Sequence, residues 1–149
     1  MELKIKALSP KMGREIPLPH FATPGSAAMD LCACIDEPIT LPPRGRMLIP
    51  NGIAIALPDP GYVALVFARS GLASKKGIAM ANGVGVIDSD YRGQLSTPVI
   101  NQSDEPYTIR PGDRIAQLMV VPVIQPQLTF VEELDETKRG AGGFGSTGR

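Results

Sequence analysis

Acidic residues and a tyrosine follow an apolar, glycine-containing stretch in the middle of the chain. In NGVGVIDSDYRGQL, residues 82–95, one serine separates Asp88 from Asp90, and Tyr91 comes next. Because Asp and Ser commonly start turns, a simple β-hairpin accounts for the segment. The alternative is a ligand site, where a base or sugar lies against backbone that glycine leaves uncovered and Asp88 is aimed at a reacting water. The segment alone leaves both interpretations open.

A second segment offers hydrogen-bond donors to an anion. In RSGLASKKG, residues 69–77, Arg69 supplies a planar fork of donors that fits phosphate oxygens. Ser70 and Gly71 begin a short predicted helix, where unpaired N–H groups and the helix dipole attract anions. With Ser70 as N-cap and Gly77 as the stop, this is the only helix that we expect. An ordinary cap and a surface arginine would explain the same residues without a ligand.

Two polar residues interrupt segments that otherwise resemble buried strands. Asp30 lies in GSAAMDL, and a buried carboxylate needs a partner or a cation, so a structural ion pair is one explanation. Gln117 in RPGDRIAQL is either a hydrogen-bonded buried amide or a ligand contact. Together with a C-terminal segment rich in Gly, Ser, Thr and Arg, these residues suit a phosphate chain with magnesium, whose charges they would balance.

Composition narrows the classes of function. The chain has 149 residues, which suggests one domain, and 15 basic residues balance 15 acidic ones. This balance argues against a general nucleic-acid or membrane-surface binder. With His20 as the only histidine, a zinc site or a histidine-based triad is difficult to build. Cys32 and Cys34 lie on one predicted strand and are expected to be reduced thiols. Because the sequence shows no signal peptide and no long apolar run, we expect a cytoplasmic protein.

The elements that must position these residues are short strands. Apolar runs alternate with turn-forming sequences such as PPRG, PDPG, SDYRG and RPGD, which predicts a sandwich, jelly roll or barrel. The first predicted strand is LKIKAL, with Leu3, Ile5 and Ala7 half-buried, and the last is QLTFVEEL. LMVVPVI, residues 118–124, is apolar on both faces and is therefore either a central core strand or part of a subunit interface.

Five segments together resemble a known family. In order, GSAAMDL, RSGLA, NGVGVIDSDYRG, GDRIAQL and RGAGGFGSTG are similar to the five motifs of the homotrimeric dUTPases, and the resemblance extends from Ala22 to Gly148. It implies an all-β fold, a distorted jelly roll or β-clip-like sandwich with one short helix, that forms a homotrimer with shared active sites. It also implies Mg²⁺-dependent hydrolysis of dUTP to dUMP and pyrophosphate through attack of water on the α-phosphorus, which keeps uracil out of DNA and supplies dUMP for thymidylate synthesis.

The resemblance further implies roles for individual residues. Asp88 would orient the attacking water and contact the 3′-hydroxyl, Tyr91 would pack on the deoxyribose, and Asp30 would contact Mg²⁺ through water while the substrate phosphates hold most of the metal. The other implied substrate contacts are Asn82, Val86 and Ile87 for uracil, Arg69, Ser70, Gly71 and Gln117 for the phosphates, and Arg139, Phe144, Gly145, Ser146 and Thr147 in the C-terminal segment.

The C-terminal segment is expected to act as a lid. Residues 139–149, RGAGGFGSTGR, are predicted to be a flexible addition to a β-domain of residues 1–138, because glycine loses the most backbone freedom on ordering. The resemblance implies that the lid closes over bound nucleotide, with Phe144 stacked on uracil. Contacts with the ligand would then offset an ordering cost of about 1–2 kcal/mol per residue. Without nucleotide the segment is expected to be disordered.

Two features depart from the family pattern. Ala68 replaces a proline that commonly precedes the Arg-Ser-Gly sequence, and Ser96, Thr97 and Pro98 replace a more apolar strand. Pro98 predicts an edge strand or a bulge there. Two other functions stay open, a dCTP deaminase with the same fold and a nucleotide-binding β-protein without turnover.

Overall fold

Short apolar runs form strands throughout residues 1–143, the part of the chain that the structure, a computed structural model, describes. The strands are β1 (Lys4–Ala7), β2 (Met29–Cys32), β3 (Ile39–Leu41), β4 (Arg46–Pro50), β5 (Ile53–Ala56), β6 (Tyr62–Ala68), β7 (Ile78–Met80), β8 (Gly85–Ile87), β9 (Ser96–Asn101), β10 (Tyr107–Ile109) and β11 (Arg114–Pro122), and helix α1 (Ser70–Lys76) lies between β6 and β7. The predicted class, an all-β jelly-roll or β-clip-like fold with one short helix, is confirmed for these residues.

The strands form antiparallel sheets of two to four strands. The largest has the order β2-β11-β6-β8, a second has the order β4-β9-β7, and β1-β5 and β10-β3 form two-stranded sheets. In the largest sheet, Gln117 of β11 lies opposite Asp30 of β2 on one side and Phe67 of β6 on the other. The register of the central strand therefore brings together polar residues that are far apart in sequence.

Two aliphatic clusters form the core. The larger joins the largest sheet to the segment around β5, and its fully buried members include Ile16, Leu31, Ile53 and Leu118. The smaller packs around β3, β4 and β9, with Leu41, Ile49, Ile78, Val99 and Ile109 almost completely buried. Because the chain has no tryptophan, aliphatic side chains rather than large aromatic ones supply most of this buried surface.

Helix α1 is the only helix within residues 1–143, as predicted, but its N-cap was predicted wrongly. Arg69, not Ser70, is the N-cap, with φ −83° and ψ 127° and no side-chain capping bond. Since β6 ends at Ala68, Arg69 alone connects strand and helix and must take the extended cap conformation. Gly77 ends the helix in the left-handed region at φ 68°, as its predicted role as the stop requires.

The prediction of an edge strand or bulge at Pro98 is wrong. Pro98 lies inside β9, the central strand of its sheet, and faces Leu48 of β4. The N–H and C=O of one strand residue point to the same side, and the Pro98 carbonyl accepts a hydrogen bond from the Ala81 N–H at 2.7 Å. The side of Pro98 that lacks an N–H therefore faces the residues just beyond the end of β7. The hydrogen bonds between β9 and β7 do not require a donor at that position.

Three further expectations about strands need correction. β1 forms but all four of its residues are exposed, Ile5 included, because the strand pairs only with β5. QLTFVEEL forms no strand in the described structure, and its large apolar side chains Leu128, Phe130 and Leu134 are exposed. Cys34 lies beyond the end of β2 and so does not share a strand with Cys32, although both cysteines are free thiols as expected.

None of the helical structure in residues 1–143 has the length and apolar character to cross a bilayer.

Candidate active site

The segment 82–95 forms one wall of a cavity of about 360 Å³. Edge strand β8 pairs with β6 on one side only, through Gly85–Val66, Val86–Leu65 and Ile87–Ala64, so its other edge is free of strand partners within the described chain. A Cβ at Gly85 would lie 3.2 Å from the Val66 Cβ, which favours glycine for close packing against β6. The residues predicted to contact a base or sugar that line this cavity are Asn82, Val86, Ile87, Asp88 and Tyr91.

The turn that follows β8 is held by its own hydrogen bonds. The Tyr91 N–H donates to the Asp88 carbonyl at 3.2 Å, and the Arg92 guanidinium donates to the carbonyls of Ser89 and Tyr91 at 2.7 and 2.9 Å. Both Asp88 and Tyr91 are exposed at the cavity. The turn forms, but the prediction of a simple β-hairpin is wrong, because β8 pairs with β6 whereas β9 pairs with β4 and β7. The ligand-site interpretation stays a prediction, since the turn fixes the backbone and leaves the Asp88 carboxylate open to water or ligand. Residues 82–95 are called the hairpin below only as a name for this segment.

A second cavity of about 410 Å³ collects the predicted anion donors. It is lined by Arg69, Ser70 and Gly71 at the start of α1, by Lys75 and Lys76 at its end, and by Asp30, Leu72, Tyr107 and Gln117. Gln117 is half-buried, and its amide Nε2 donates to the Ala68 carbonyl at 2.9 Å, which fixes the side chain beside the start of the helix. Three basic side chains, Arg69, Lys75 and Lys76, outnumber the single carboxylate of Asp30 and make this cavity cationic.

Asp30 is held between two arginines. Its Oδ1 lies 2.8 Å from Arg69 Nε, and its Oδ2 lies 3.1 Å from Arg114 Nη1, with 23% of the Asp30 side chain exposed. The Arg69 guanidinium also donates to the Arg114 carbonyl at 3.3 Å. The structural ion pair predicted from the sequence is therefore confirmed, and it fixes the Arg69 fork at the cavity wall.

Arg114 is the residue at this site that the sequence did not single out. The register of β11 against β2 shifts between Arg114 and Ala116, which marks a bulge. In a regular strand Arg114 and Gln117 would point to opposite faces, but the extra residue of a bulge turns them to the same face. No turn-forming residue marks the bulge, so the sequence pattern does not indicate it.

Burial affects two titratable groups near this cavity. Burial raises the pKa of the Cys32 thiol, and the nearby Asp30 carboxylate raises it further. Burial also raises the pKa of Tyr107, with the charge of Asp113 acting in the same direction. Both groups are therefore neutral at physiological pH, and the charge of the cavity comes from its arginines, lysines and Asp30.

The residues fit a metal that is held mainly by a ligand. Within residues 1–143 there is no group of three or more His, Cys, Asp or Glu side chains that could hold a metal ion. Asp30 is the one carboxylate at the cationic cavity, and two guanidinium groups already neutralise it. Because Mg²⁺ requires about six oxygen ligands, a magnesium ion here would take most of them from phosphates and water.

The predicted residues thus fall into two groups that one chain keeps apart. The cavity at the hairpin and the cavity at α1 share no lining residue. Arg139 lines neither of them, and its guanidinium donates to the Gly142 carbonyl at 2.8 Å. The remaining predicted contacts, Phe144, Gly145, Ser146 and Thr147, lie outside the described residues.

The chain is similar in sequence and in fold to known proteins. The family model for dUTPase matches residues 14–148. A deoxyuridine 5'-triphosphate nucleotidohydrolase of Idiomarina loihiensis is 51% identical over 148 residues, which cover 99% of this chain and 98% of that protein. A variant dUTPase of Staphylococcus bacteriophage 80alpha, solved with dUpNHpp, is 28% identical with a TM-score of 0.82 and covers 99% of each chain. A variant dUTPase of phage phi11 of S. aureus, solved with a structural Mg(II) ion, is 26% identical with a TM-score of 0.78, over 91% of this chain and 100% of that one.

Proposed function

The chain belongs to the dUTPase family and is a dUTP diphosphatase, and we propose that it releases pyrophosphate from a magnesium complex of dUTP by attack of water on the α-phosphorus. The observation that carries this mechanism is the pair of complementary cavities, one with an exposed carboxylate beside an open strand edge and one with clustered anion donors. The products would be dUMP, the precursor for thymidylate synthesis, and pyrophosphate, and the removal of dUTP would keep uracil out of DNA.

Asp88 is proposed as the group that orients and deprotonates the attacking water. It is exposed directly after β8, so its carboxylate can reach a water beside the bound nucleotide and accept a proton from it. The water oxygen forms a bond to the α-phosphorus while the bond from that phosphorus to the β-phosphate bridging oxygen breaks. The pyrophosphate leaves with the electron pair, and a proton of the water passes to Asp88.

Selection of uracil and deoxyribose is assigned to the hairpin. The free edge of β8 carries backbone N–H and C=O groups that can pair with the uracil edge and distinguish its O4 from the amino group of cytosine. A close fit around β8 would exclude the 5-methyl group of thymine. The Tyr91 ring, exposed at the same cavity, would pack on the deoxyribose and occupy the place that a 2′-hydroxyl would need.

The cationic cavity is proposed to bind the triphosphate. Arg69 would contact phosphate oxygens with Nη2, because its Nε is paired with Asp30 and its Nη1 donates to the Arg114 carbonyl. Ser70, Gly71 and Gln117 would add hydroxyl, backbone and amide donors. Bound magnesium would neutralise charge on the phosphates and restrict their conformations. Asp30 would contact the metal through water, and the dUpNHpp complex of a phage relative supports a nucleotide site in this family.

The proposed site draws on two cavities of the chain that have no lining residue in common. We infer that the chain forms a homotrimer, where each active site takes the hairpin of one subunit and the donors of a neighbour. Residues 139–149 would close over the nucleotide as a lid, with Arg139, Phe144, Gly145, Ser146 and Thr147 contacting it. The exposed apolar residues after β11, including Ile124, Leu128 and Phe130, support an assembly that covers them.

The direct test measures pyrophosphate release from dUTP, dTTP, dCTP and UTP side by side, with and without Mg²⁺, together with ammonia release from dCTP. We expect rapid magnesium-dependent release from dUTP only. Ammonia from dCTP would instead identify a deaminase, and tight binding of dUTP without pyrophosphate release under excess Mg²⁺ would identify a binding protein.

A further inference from the structure

Two polar side chains are buried at the hairpin cavity, and one of them, Asn51, lines it. Asn51, between β4 and β5, is 1% exposed, and Thr97 of β9 is 0% exposed. The Thr97 hydroxyl donates to Asn51 Oδ1 at 3.0 Å, and Asn51 Nδ2 donates to the Cys32 carbonyl at 3.0 Å. Burying an amide and a hydroxyl is unfavourable unless they are hydrogen-bonded, and an apolar pair would fill the same space more simply. The proposed function uses neither residue.

The pair is connected to the hairpin through the main chain. The Asn51 N–H donates to the Leu95 carbonyl at 2.9 Å, and the Leu95 N–H donates to the Ile53 carbonyl at 2.8 Å. With the side-chain bond to Thr97, the turn at Asn51 therefore holds the segment 95–97 at two points. Gly52 fixes the turn itself, since it has φ +70° and a Cβ there would lie 2.8 Å from the Cβ of Cys34.

This segment carries the anchor of Tyr91. The Tyr91 hydroxyl donates to the Gln94 carbonyl at 3.2 Å, and Gln94 directly precedes Leu95. The Tyr91 ring also lies so close to Gly93 that any Cβ at that position would overlap it. Because the hydroxyl is bonded to main chain rather than to a mobile side chain, the position of the ring follows the position of residues 94–97.

We propose that Asn51 and Thr97 are positioning residues for sugar recognition, which hold the strand segment that anchors the Tyr91 hydroxyl and so keep the ring against the 2′ position of the nucleotide. The inference rests on the proposed function, in which Tyr91 packs on deoxyribose. A polar pair suits this role better than an apolar pair, because hydrogen bonds fix direction as well as distance, whereas apolar packing permits small displacements.

The test compares kcat/KM for dUTP with kcat/KM for UTP in three single variants and one double variant. Thr97→Val keeps the shape of the side chain and removes the hydroxyl, and it is expected to lower the dUTP/UTP ratio about tenfold. Thr97→Ser keeps the hydroxyl and is expected to retain the ratio of the unmodified protein. Tyr91→Phe removes the hydroxyl that anchors the ring to the Gln94 carbonyl. Thr97→Val added to Tyr91→Phe is expected to lower the ratio no further, since both changes break the same connection between Thr97 and the Tyr91 ring.

A matched control separates positioning from general stability. Asn101 is also fully buried and bonded, with Nδ2 donating to the carbonyls of Leu41 and Glu105 at 3.2 and 2.7 Å, but it lies outside both cavities. Asn101→Ala is expected to lower the melting temperature and leave the dUTP/UTP ratio unchanged. A ratio that Thr97→Val does not lower, or that Asn101→Ala lowers equally, overturns the proposal.

A further variant covers the case where Thr97→Val does not fold. The double variant Asn51→Leu/Thr97→Val replaces both members of the pair by apolar groups, which is less costly than leaving one buried polar group unpaired. It is expected to show the same tenfold loss, and an unchanged ratio in it counts equally against the proposal. Failure of the proposed function has a different signature, because it is seen in the unmodified protein: slow cleavage of dUTP, or equal cleavage of UTP, would count against the proposed function. A change in the dUTP/UTP ratio between the variants and the unmodified protein decides only the positioning of Tyr91.

Discussion

Asp88 directly follows edge strand β8 and begins the turn that leads to Tyr91. The chemistry proposed for the hairpin depends on its carboxylate. Its carbonyl is tied to the Tyr91 N–H, while its side chain is exposed. This arrangement places the backbone firmly and leaves the carboxylate free to meet a water beside a bound nucleotide. At the scale of single residues, the proposed base should therefore be separable from the proposed binding groups.

Asp88→Asn should preserve binding and remove most turnover. The amide keeps the size of the side chain but is a poor proton acceptor, so we expect kcat for dUTP to fall by about 10²–10⁴-fold. Calorimetric titration with dUpNHpp should show a dissociation constant within a few-fold of that of the unmodified protein. The matched control is Asp90→Asn, an exposed carboxylate in the same turn, which should retain kcat. A near-normal kcat for Asp88→Asn would remove Asp88 from the role of base.

Asp30→Asn should increase the magnesium requirement. The change removes the only carboxylate of the cationic cavity and frees Arg69 and Arg114 from their shared partner. Pyrophosphate release measured against Mg²⁺ concentration should show a half-saturating concentration raised at least several-fold. Asp36→Asn is the control, because Asp36 forms an exposed ion pair with Lys11 at 2.6 Å away from both cavities. Equal magnesium curves for the two variants would limit Asp30 to its structural ion pairs.

At the scale of elements, α1 depends on how it ends. Gly77 has φ +68°, and its N–H donates to Ala73 and Leu72 carbonyls, while a Cβ at this position would lie 2.8 Å from the Ser103 backbone nitrogen. The helix has only seven residues, so its position at the cationic cavity is set by these end contacts rather than by its own hydrogen bonds.

Gly77→Ala should therefore destabilise the protein. The left-handed conformation costs a residue with a Cβ about 1–2 kcal/mol, and the contact with Ser103 adds to this cost. Chemical denaturation should show a lower midpoint for unfolding. Gly71→Ala serves as the control for stability, because a Cβ there meets no atom within 4 Å and alanine favours helix. A Gly77→Ala midpoint equal to that of Gly71→Ala would contradict this account of how α1 ends.

The predicted lid gives a second prediction for an element. Phe144 lies outside the described residues, and its proposed stacking on uracil would close the site during the reaction. Phe144→Ala is expected to lower kcat more than it raises KM for dUTP, because closure that matters in the transition state affects turnover. Steady-state kinetics of pyrophosphate release would check this. A rise in KM alone would mean that the phenylalanine binds substrate and transition state equally.

The elements also show what could be predicted from sequence and what could not. Alternating apolar runs and turn residues located β2 to β11 and the helix, because these patterns depend on neighbours in the chain. The position of Pro98 was predicted wrongly because its missing N–H lies beside the end of β7, where no hydrogen bond is needed. That placement is a contact between segments that are distant in sequence. The bulge at Arg114 and the polar pair of Asn51 and Thr97 likewise depend on register across strands, which periodicity does not contain.

At the scale of the whole molecule, the described chain has surfaces that it does not cover itself. In LMVVPVI, Leu118 is buried, Met119 to Val121 are half-buried, and Ile124 is 87% exposed. The run thus begins as a central core strand and ends as an uncovered apolar surface, so both interpretations of its two-sided pattern apply to different parts of it. Together with the two separate cavities, this exposure supports the proposed trimer.

Shared active sites predict that two inactive variants restore activity when they assemble together. Asp88→Asn disables the hairpin cavity and Arg69→Ala disables the cationic cavity, so each variant alone should be almost inactive. If each site takes its hairpin and its donors from different subunits, random mixed trimers from equal amounts should contain about one intact site in four. The variants would be unfolded, mixed, refolded and assayed for pyrophosphate release, with light scattering to confirm a trimeric mass.

The controls make the outcome unambiguous. Each variant refolded alone gives the background rate, and unmodified protein treated in the same way gives the yield of refolding. Mixing without unfolding should restore little activity, because stable trimers exchange subunits slowly. If the mixed trimers stay at background while the unmodified protein recovers fully, hairpin and donors must come from the same subunit. The separation of the two cavities in one chain would then have to close by a conformational change instead of by assembly.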